Sequence, residues 1–506
     1  MFETIPQVLL AVGTVTLVSL LSTIVYRLHL SPHSNFAGPR LWAVSRLPYV
    51  YHILKGDVVQ QIYQLHAKYG AVVRIAPTEL SFITAEAWHD IYGHHQGSPK
   101  FAKNPLWMAA GENGVHSILS ANDADHSRYR RLLSHAFSER ALLQQEWLVQ
   151  SYVDLFIGQL KKIAFTPESL YSKVVSSPEA KVVTLNQWLN FTTFDIMGDL
   201  ALGESFHCLE KGEYDSWISI LFTQFKAATL FVSLRFFGLD KFVRPLLPKT
   251  LLKKRADHAK TANDRIHRRL DLGVKADEQR VDFMTYILRH NDDKGMSVPE
   301  IEQTQRILVA AGSETTATAL TGIVTNLLRT PDVLDRLTSV IRGTFHHESE
   351  INAQSVAKLY YLTDVIDEGL RLCPPVPLGM PRVVPDGGAA VDGNWLPGGT
   401  FVSASGYSSN RSPLSFPDGP NEFRPQRWAR AKSINSISAF NPFSLGPRNC
   451  LGRNLAYLEM RLILAHMIFH FDLVIPEGEE VGPWEDQKSW ILWEKRPLKV
   501  KVVNRR

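Results

Sequence analysis

The stretch from 441 to 453, N-P-F-S-L-G-P-R-N-C-L-G-R, restricts this chain more than any other. It holds one cysteine, Cys450, framed by Phe443, Gly446, Arg448 and Gly452. Gly446 followed by Pro447 forces a turn. The residues after Cys450, L-G-R-N-L-A-Y-L-E-M-R-L-I-L-A, read as an amphipathic helix. A thiol just ahead of a helix N-terminus, with Arg448 nearby, is biased toward thiolate. A thiolate is a ligand for a soft metal centre. A single cysteine beside a turn is more often a packing residue, so the rest of the chain has to decide.

The spacing F-x-x-G-x-R-x-C-x-G is met at all its fixed positions. It resembles the haem-thiolate loop of the cytochrome P-450 superfamily. That resemblance implies a mainly α fold with a smaller β-rich lobe. It also implies Cys450 as the metal ligand, with Phe443, Gly446, Arg448 and Gly452 around the cofactor.

The 506 residues, 45% hydrophobic and 21% charged, suit a large globular protein. A net charge of +5 leaves no footprint for nucleic acid. Cys208, Cys373 and Cys450 are far apart and form no C-x-x-C pair. This argues against a disulfide framework and against a zinc site, and fits a reducing compartment.

Residues 4 to 26 carry no charge, enough to span roughly 30 Å of hydrocarbon at about 1.5 Å per residue. Arg27, His29, His33 and Arg40 follow, and only Glu3 precedes. The positive-inside rule puts the bulk of the chain in the cytosol. A cleaved signal peptide would need a basic start and a shorter apolar run. The expectation is an uncleaved anchor over 1–30 and one domain over 31–506. The sequons at Asn190 and Asn410 would then go unused. Ser31 to Pro39 reads as a hinge.

Within the domain, residues 71–83 read as a hairpin around Pro77. The Gly/Pro-punctuated stretch 99–120, with Trp107 and Met108, is long for a loop without function. His126 and Arg130 lie four apart on a helix and present two donors on one face. The family's [WH]-x-x-x-R helix is similar, which implies that these two hold the haem propionates. Arg128, Arg131, Arg448 and Arg453 would add a basic surface near the cysteine. Residues 215–247 are unusually apolar. Core packing is the economical reading, and the family's mobile roof over substrate and membrane is the other.

Ser297 and Glu300 make an S-x-x-E capping box, with Pro299 in the first turn. The helix so begun can run to Arg329, about 45 Å, before Thr330-Pro331 stops it. Its centre, I-L-V-A-A-G-S-E-T-T, sets Ala311 and Gly312 beside an acid and two threonines. Gly costs about 1 kcal/mol there, and a buried Glu needs a partner. A purely structural helix would need neither. The stretch resembles the family's A-G-x-[DE]-T-T motif, which implies a backbone that opens and a proton relay through Glu314 and Thr315.

Glu368 and Arg371 share a helix face, and F-R-P-Q-R-W follows at 423–428. The resemblance places Arg427 with them as a structural triad, Arg382 on a propionate, and Val376 and Leu378 in the substrate pocket with Trp107 and Ala311. The C-terminal S-W-I-L-W-E-K-R-P-L-K-V-K-V-V alternates and reads as a closing hairpin.

The family's motifs occur in order over the whole chain after residue 30, with no flavin or nucleotide domain beside them. The resemblance therefore implies haem b (iron protoporphyrin IX), O2, and NADPH-derived electrons from a partner reductase. NADPH-cytochrome reductase is the first candidate and cytochrome b5 a second. The chain looks most like fungal microsomal oxygenases of secondary metabolism, the isotrichodermin C-15 hydroxylase group among them. The expected function is single-oxygen insertion into an apolar small molecule at the endoplasmic reticulum membrane. The alternatives are a housekeeping or detoxifying monooxygenase, a haem-thiolate isomerase acting on peroxides, and a haem-binding protein without turnover.

Overall fold

The chain is organised on one long helix, and its first residues say why it starts where it does. In the computed structural model, which describes residues 4–94, 100–108, 111, 113–165, 182–273, 282–292, 294–431 and 438–505, Ser297 and Glu300 close the capping box. The Glu300 carboxylate accepts from the Ser297 amide at 2.8 Å. Helix Val298–Arg329 then runs without a break until Pro331 begins the next one. Most of its side chains are buried, and it crosses the centre of the main hydrophobic core.

Gly312 has a packing reason. A Cβ there would lie 2.6 Å from the sulfur of Met197 on the neighbouring helix Leu185–Leu202. Any larger residue here would have to displace the flexible Met197 side chain.

The β portion is small. A five-stranded sheet has the order Val72–Ala76, Glu79–Phe82, Phe401–Ala404, Arg382–Val383, Ala102–Lys103. Its first pair is the expected hairpin, antiparallel around Pro77. A second core of Leu80, Phe82, Trp88, Val402 and Ala404 lies against this sheet. The C-terminal stretch departs from expectation. Ser489–Trp490 and Leu492–Trp493 form a minimal hairpin, but Lys499–Asn504 pairs instead with Val182–Thr184 and Phe471–Val474. Period-two alternation reports a half-buried strand but not its partner.

Residues Thr4–Val25 are helical, and the turn Tyr26–Leu30 continues them. None of the apolar span Gln7–Leu30 is buried, and its mean hydropathy is 2.3. Two further helices, Ser216–Arg235 and Val298–Arg329, have the length and hydropathy to cross a membrane, but the second is 72% buried within the protein. Fully buried Arg74 donates to the Arg27 carbonyl at 2.8 Å and fastens the end of the apolar helix to the sheet.

The apolar region 215–247 divides. Trp217, Ile218 and Val232 are buried as core. Phe242 and Leu246, 72% and 79% exposed, are not, which corrects the core reading for the second half. Lys254 and Arg255 have side chains outside those described. Asn190 and Asn410 are both buried and hydrogen-bonded, to Tyr214 and to the Arg371 carbonyl. Neither is open to glycosylation in the folded chain.

Candidate functional site

The cysteine loop is held by backbone geometry first. Gly446 adopts φ +69°, and a Cβ on it would collide with the Tyr92 carbonyl. Only glycine meets both conditions. The Cys450 amide donates to the Phe443 carbonyl at 2.9 Å, closing the turn. The Phe443 ring packs on Tyr457, centroids 5.3 Å apart, and helix Arg453–His470 starts just after. Gly452 has no such demand from the protein's own atoms, since a Cβ there would meet only Phe137 at 3.7 Å.

The Cys450 thiol is accessible to solvent, yet protein crowds it closely enough that desolvation dominates its titration. Burial pushes it above the ordinary cysteine range, while the Gly452 amide, Arg130 and Arg453 pull the other way. The loop's own surroundings therefore do not favour a thiolate. Arg448 is not the neighbour that the sequence suggested. It turns away to Asp123 Oδ1, at 2.7 and 3.0 Å, and to the Ala121 carbonyl at 2.8 Å. Arg130 takes its place. It donates to the Asn449 carbonyl at 2.8 Å and to Asn449 Oδ1 at 2.5 Å.

His126 and Arg130 thus serve different partners. Buried His126 lies among the cations Arg448, Lys103 and Arg130. Burial first, then those charges, push it down to about 3. Lys103, which sequence reasoning passed over, is pushed down to about 6 by burial, then by Arg448 and Arg382. Strand register explains the meeting, because Lys103 pairs directly with Arg382 across two strands. A cavity of about 260 Å³ opens on this cluster, lined by Tyr92, Lys100, Asp123, Arg382 and Arg448. Arg382 Nε and Arg448 Nη1 are buried with no hydrogen-bond partner. Cations that depress one another, with orphaned guanidinium N–H groups, suit a ligand bearing carboxylates. The donor set therefore fits haem propionates. Of the expected basic surface, Arg128 is neutralised by Glu300 and Asp125, both at 2.7 Å, and Arg131 lies 3.5 Å from Asp292.

On the long helix, Leu308, Ala311, Gly312 and Thr315 keep accessible surface, whereas Val309, Ala310, Ser313, Glu314 and Thr316 are buried. Steps of three, one and three residues make the open positions one stripe of the helix. Thr315 Oγ1 donates to the Ala311 carbonyl at 2.6 Å. The helix is unbroken here, so the opened backbone implied by the family resemblance is absent from this conformation. Glu314 is not a free acid. Its Oε1 is held by Lys495 and lies 3.4 Å from Thr318 Oγ1, both Glu314 and Lys495 being almost fully buried. Its Oε2 is buried without a hydrogen bond. Lys495 follows the small C-terminal hairpin, and nothing in its local sequence signals that contact.

The triad is formed. Glu368 receives Arg371 through Nε at 2.9 Å and Nη2 at 2.8 Å, and Arg427 Nε at 2.9 Å. Trp428 Nε1 at 3.0 Å and the Arg424 amide at 2.8 Å complete its shell. Arg371 spends its remaining donors on the carbonyls of Asn410, Pro420 and Glu422. Sequence reasoning missed Trp428, although it is the last residue of the F-R-P-Q-R-W motif.

Of the pocket candidates, Trp107 meets Phe236 edge-on at 6.3 Å, and Arg235 donates to the Leu106 carbonyl at 3.2 Å. The 99–120 stretch is thereby tied to the apolar 215–247 region. Val376 is 37% exposed and Leu378 half-buried, on the segment leading to Arg382.

Comparison with known proteins agrees with this geometry. The family model for Cytochrome P450 matches residues 37–502. The chain is 44% identical over 485 residues to Cytochrome P450 monooxygenase astJ of Aspergillus oryzae, covering 94% of this chain and 93% of that protein. It is 42% identical over 497 residues to Cytochrome P450 monooxygenase atr2 of Stereocaulon alpinum, with 96% and 94% covered. With averantin hydroxylase of Dothistroma septosporum the identity is 41% over 491 residues, with 96% and 89% covered.

Proposed function

Because the chain belongs to the cytochrome P450 family and is a monooxygenase of that family, we propose that it carries out a tailoring oxidation in fungal secondary metabolism. In this proposal it inserts one oxygen atom from O2 into an apolar polyketide, terpenoid or peptide-derived molecule. The observation that carries the reading is the pairing of the Cys450 loop with Arg382 and Arg448, beside the basic side chains Lys103 and His126. Pro447 and Arg448 of the thiol loop line the same cavity as Arg382.

Haem b, when bound, supplies the oxidation, and thiolate donation favours O–O cleavage. The chain's residues do the rest. Cys450 ligates, and Arg130 braces the loop through Asn449. Arg382, Arg448, Lys103 and His126 hold the propionates. The Glu368 network fixes the segments carrying Arg424 and Arg427. Thr315 holds a proton at Oγ1, aimed at the Ala311 carbonyl. Glu314 can take one at Oε2 while Lys495 keeps Oε1. Ala311, Trp107, Val376 and Leu378 line the substrate side.

NADPH-cytochrome reductase is the proposed electron donor, with cytochrome b5 as a second one. The exposed apolar helix that ends near Leu30 supports a single-pass anchor in the endoplasmic reticulum membrane, with residues 31–506 in the cytosol. The Glu314–Thr315 pair disfavours a peroxide isomerase, which has no use for a proton relay. Purified protein, reductase and NADPH, given extract from a deletion strain, tests the proposal. A product heavier by one oxygen is expected. NADPH-independent conversion, or none with any accumulated metabolite, would overturn it.

A further inference from the structure

The helix that begins beside the thiolate loop ends in a second chemical cluster. His466 and His470 stand four apart on its last turns and so share a face. The short turn Glu348–Glu350 brings a carboxylate opposite them. Glu348 Oε1 lies 2.9 Å from His470 Nε2 and 3.8 Å from His466 Nδ1. One ligand atom from each of the three residues falls within 4.8 Å of the others.

The Glu348–His470 contact is a close ion-pair contact, within hydrogen-bond distance but not aligned as one. His466 Nδ1 and His470 Nε2 are both buried without a hydrogen-bond partner, and the His466 side chain is 0% exposed. The Ile351 carbonyl is close enough to His466 to favour its protonated form, but it is not aligned as an acceptor for Nδ1. Lys161 Nζ sits 3.5 Å from the other oxygen, Oε2, and leaves Oε1 to the histidines.

The far nitrogen of His466 meets the Gln150 amide at 2.8 Å. Gln150 Oε1 has no other partner. With that amide turned over, Nε2–H donates to Oε1, Nδ1 keeps its lone pair, and exposed Asp154 goes to water. An open groove of about 790 Å³, lined by Trp147, Gln150, Asp154, Glu348 and Asn352, reaches the Glu348 side of the cluster.

We propose that Glu348, His466 and His470 form a binding site for a zinc-class divalent ion. Two imidazoles and a carboxylate with an open fourth position are a zinc donor set, whereas magnesium and calcium require oxygen ligands. The 2.9 and 3.8 Å separations bracket the roughly 3.3 Å between tetrahedral ligands about 2.0–2.1 Å from an ion. The helix places the site about 27 Å from its Cys450 end, at about 1.5 Å per residue. The ion is therefore a clip between the Glu348 turn and the haem-bearing helix, remote from the oxidation. The cysteine spacing argued against a zinc site, and the H-x-x-x-H at 466–470 went unweighed.

The test uses full-length haem-loaded protein, stripped with chelator and dialysed against zinc alone, with magnesium as control. The expected result is one zinc per haem iron and a higher thermal midpoint with zinc but not magnesium. His470→Ala and Glu348→Gln should each weaken binding at least ~tenfold and remove the midpoint shift, with the haem spectrum unchanged. No zinc retained by the wild type, or equal retention and an equal shift in both variants, would overturn the proposal.

Discussion

Replacing Lys495 with methionine tests whether Glu314 is held as part of a buried ion pair. The two side chains are 5% and 4% exposed, and among the described residues the carboxylate has, apart from Lys495, only Thr318, at 3.4 Å. Removing one partner of a buried pair costs about 3–5 kcal/mol, because a charge is left behind. Lys495→Met should therefore cost about 3–5 kcal/mol. With an unfolding entropy of about 2.1 cal/mol/K per residue over 506 residues, that is a loss of about 3–5 °C in thermal midpoint. Adding Glu314→Gln removes the stranded charge and should recover most of the loss. The assay is thermal and denaturant unfolding of the four proteins of the cycle at pH 7. A single variant within about 0.5 kcal/mol of wild type, or a double variant no better than the single, would refute the ion pair as described.

Two further perturbations probe the scaffold. Glu368→Gln leaves the buried Arg371 guanidinium without its carboxylate and should cost about 3–5 kcal/mol, read as lost haem content and early unfolding; a wild-type midpoint would contradict the network. In haem-free protein, Lys103 is neutral in the fold near pH 7 but protonated when unfolded, since burial holds it down at about 6. The unfolded chain then binds the extra proton, so stability should rise with pH between about 6 and 10, by up to about 1.36 kcal/mol per unit. Lys103→Met should remove that slope, and an unchanged slope in denaturant titrations would rule out the assignment.

The parts of the site legible in the sequence were those carried by short-range chemistry. Ser297 and Glu300 announce a helix start because capping is local, and Gly446-Pro447 announce a turn for the same reason. Glu368 and Arg371 share a face by helical spacing alone. Contacts between distant segments were not legible. Lys103 reaches the cationic cluster through strand register with Arg382, and Lys495 reaches Glu314 from a C-terminal segment whose path no periodicity encodes. Arg448 misled because closeness in sequence to Cys450 does not fix side-chain direction, and Asp123 claims it. Gly312 lies against the Met197 side chain, a neighbour that the helix sequence alone does not reveal.

The central claim is that Cys450 ligates the haem iron. The reduced, carbon-monoxide-bound spectrum of wild type and Cys450→Ala measures it directly. Wild type should show the red-shifted Soret band of a thiolate ligand, and the variant should lose that band. Retention of the band in Cys450→Ala would contradict the account at its base.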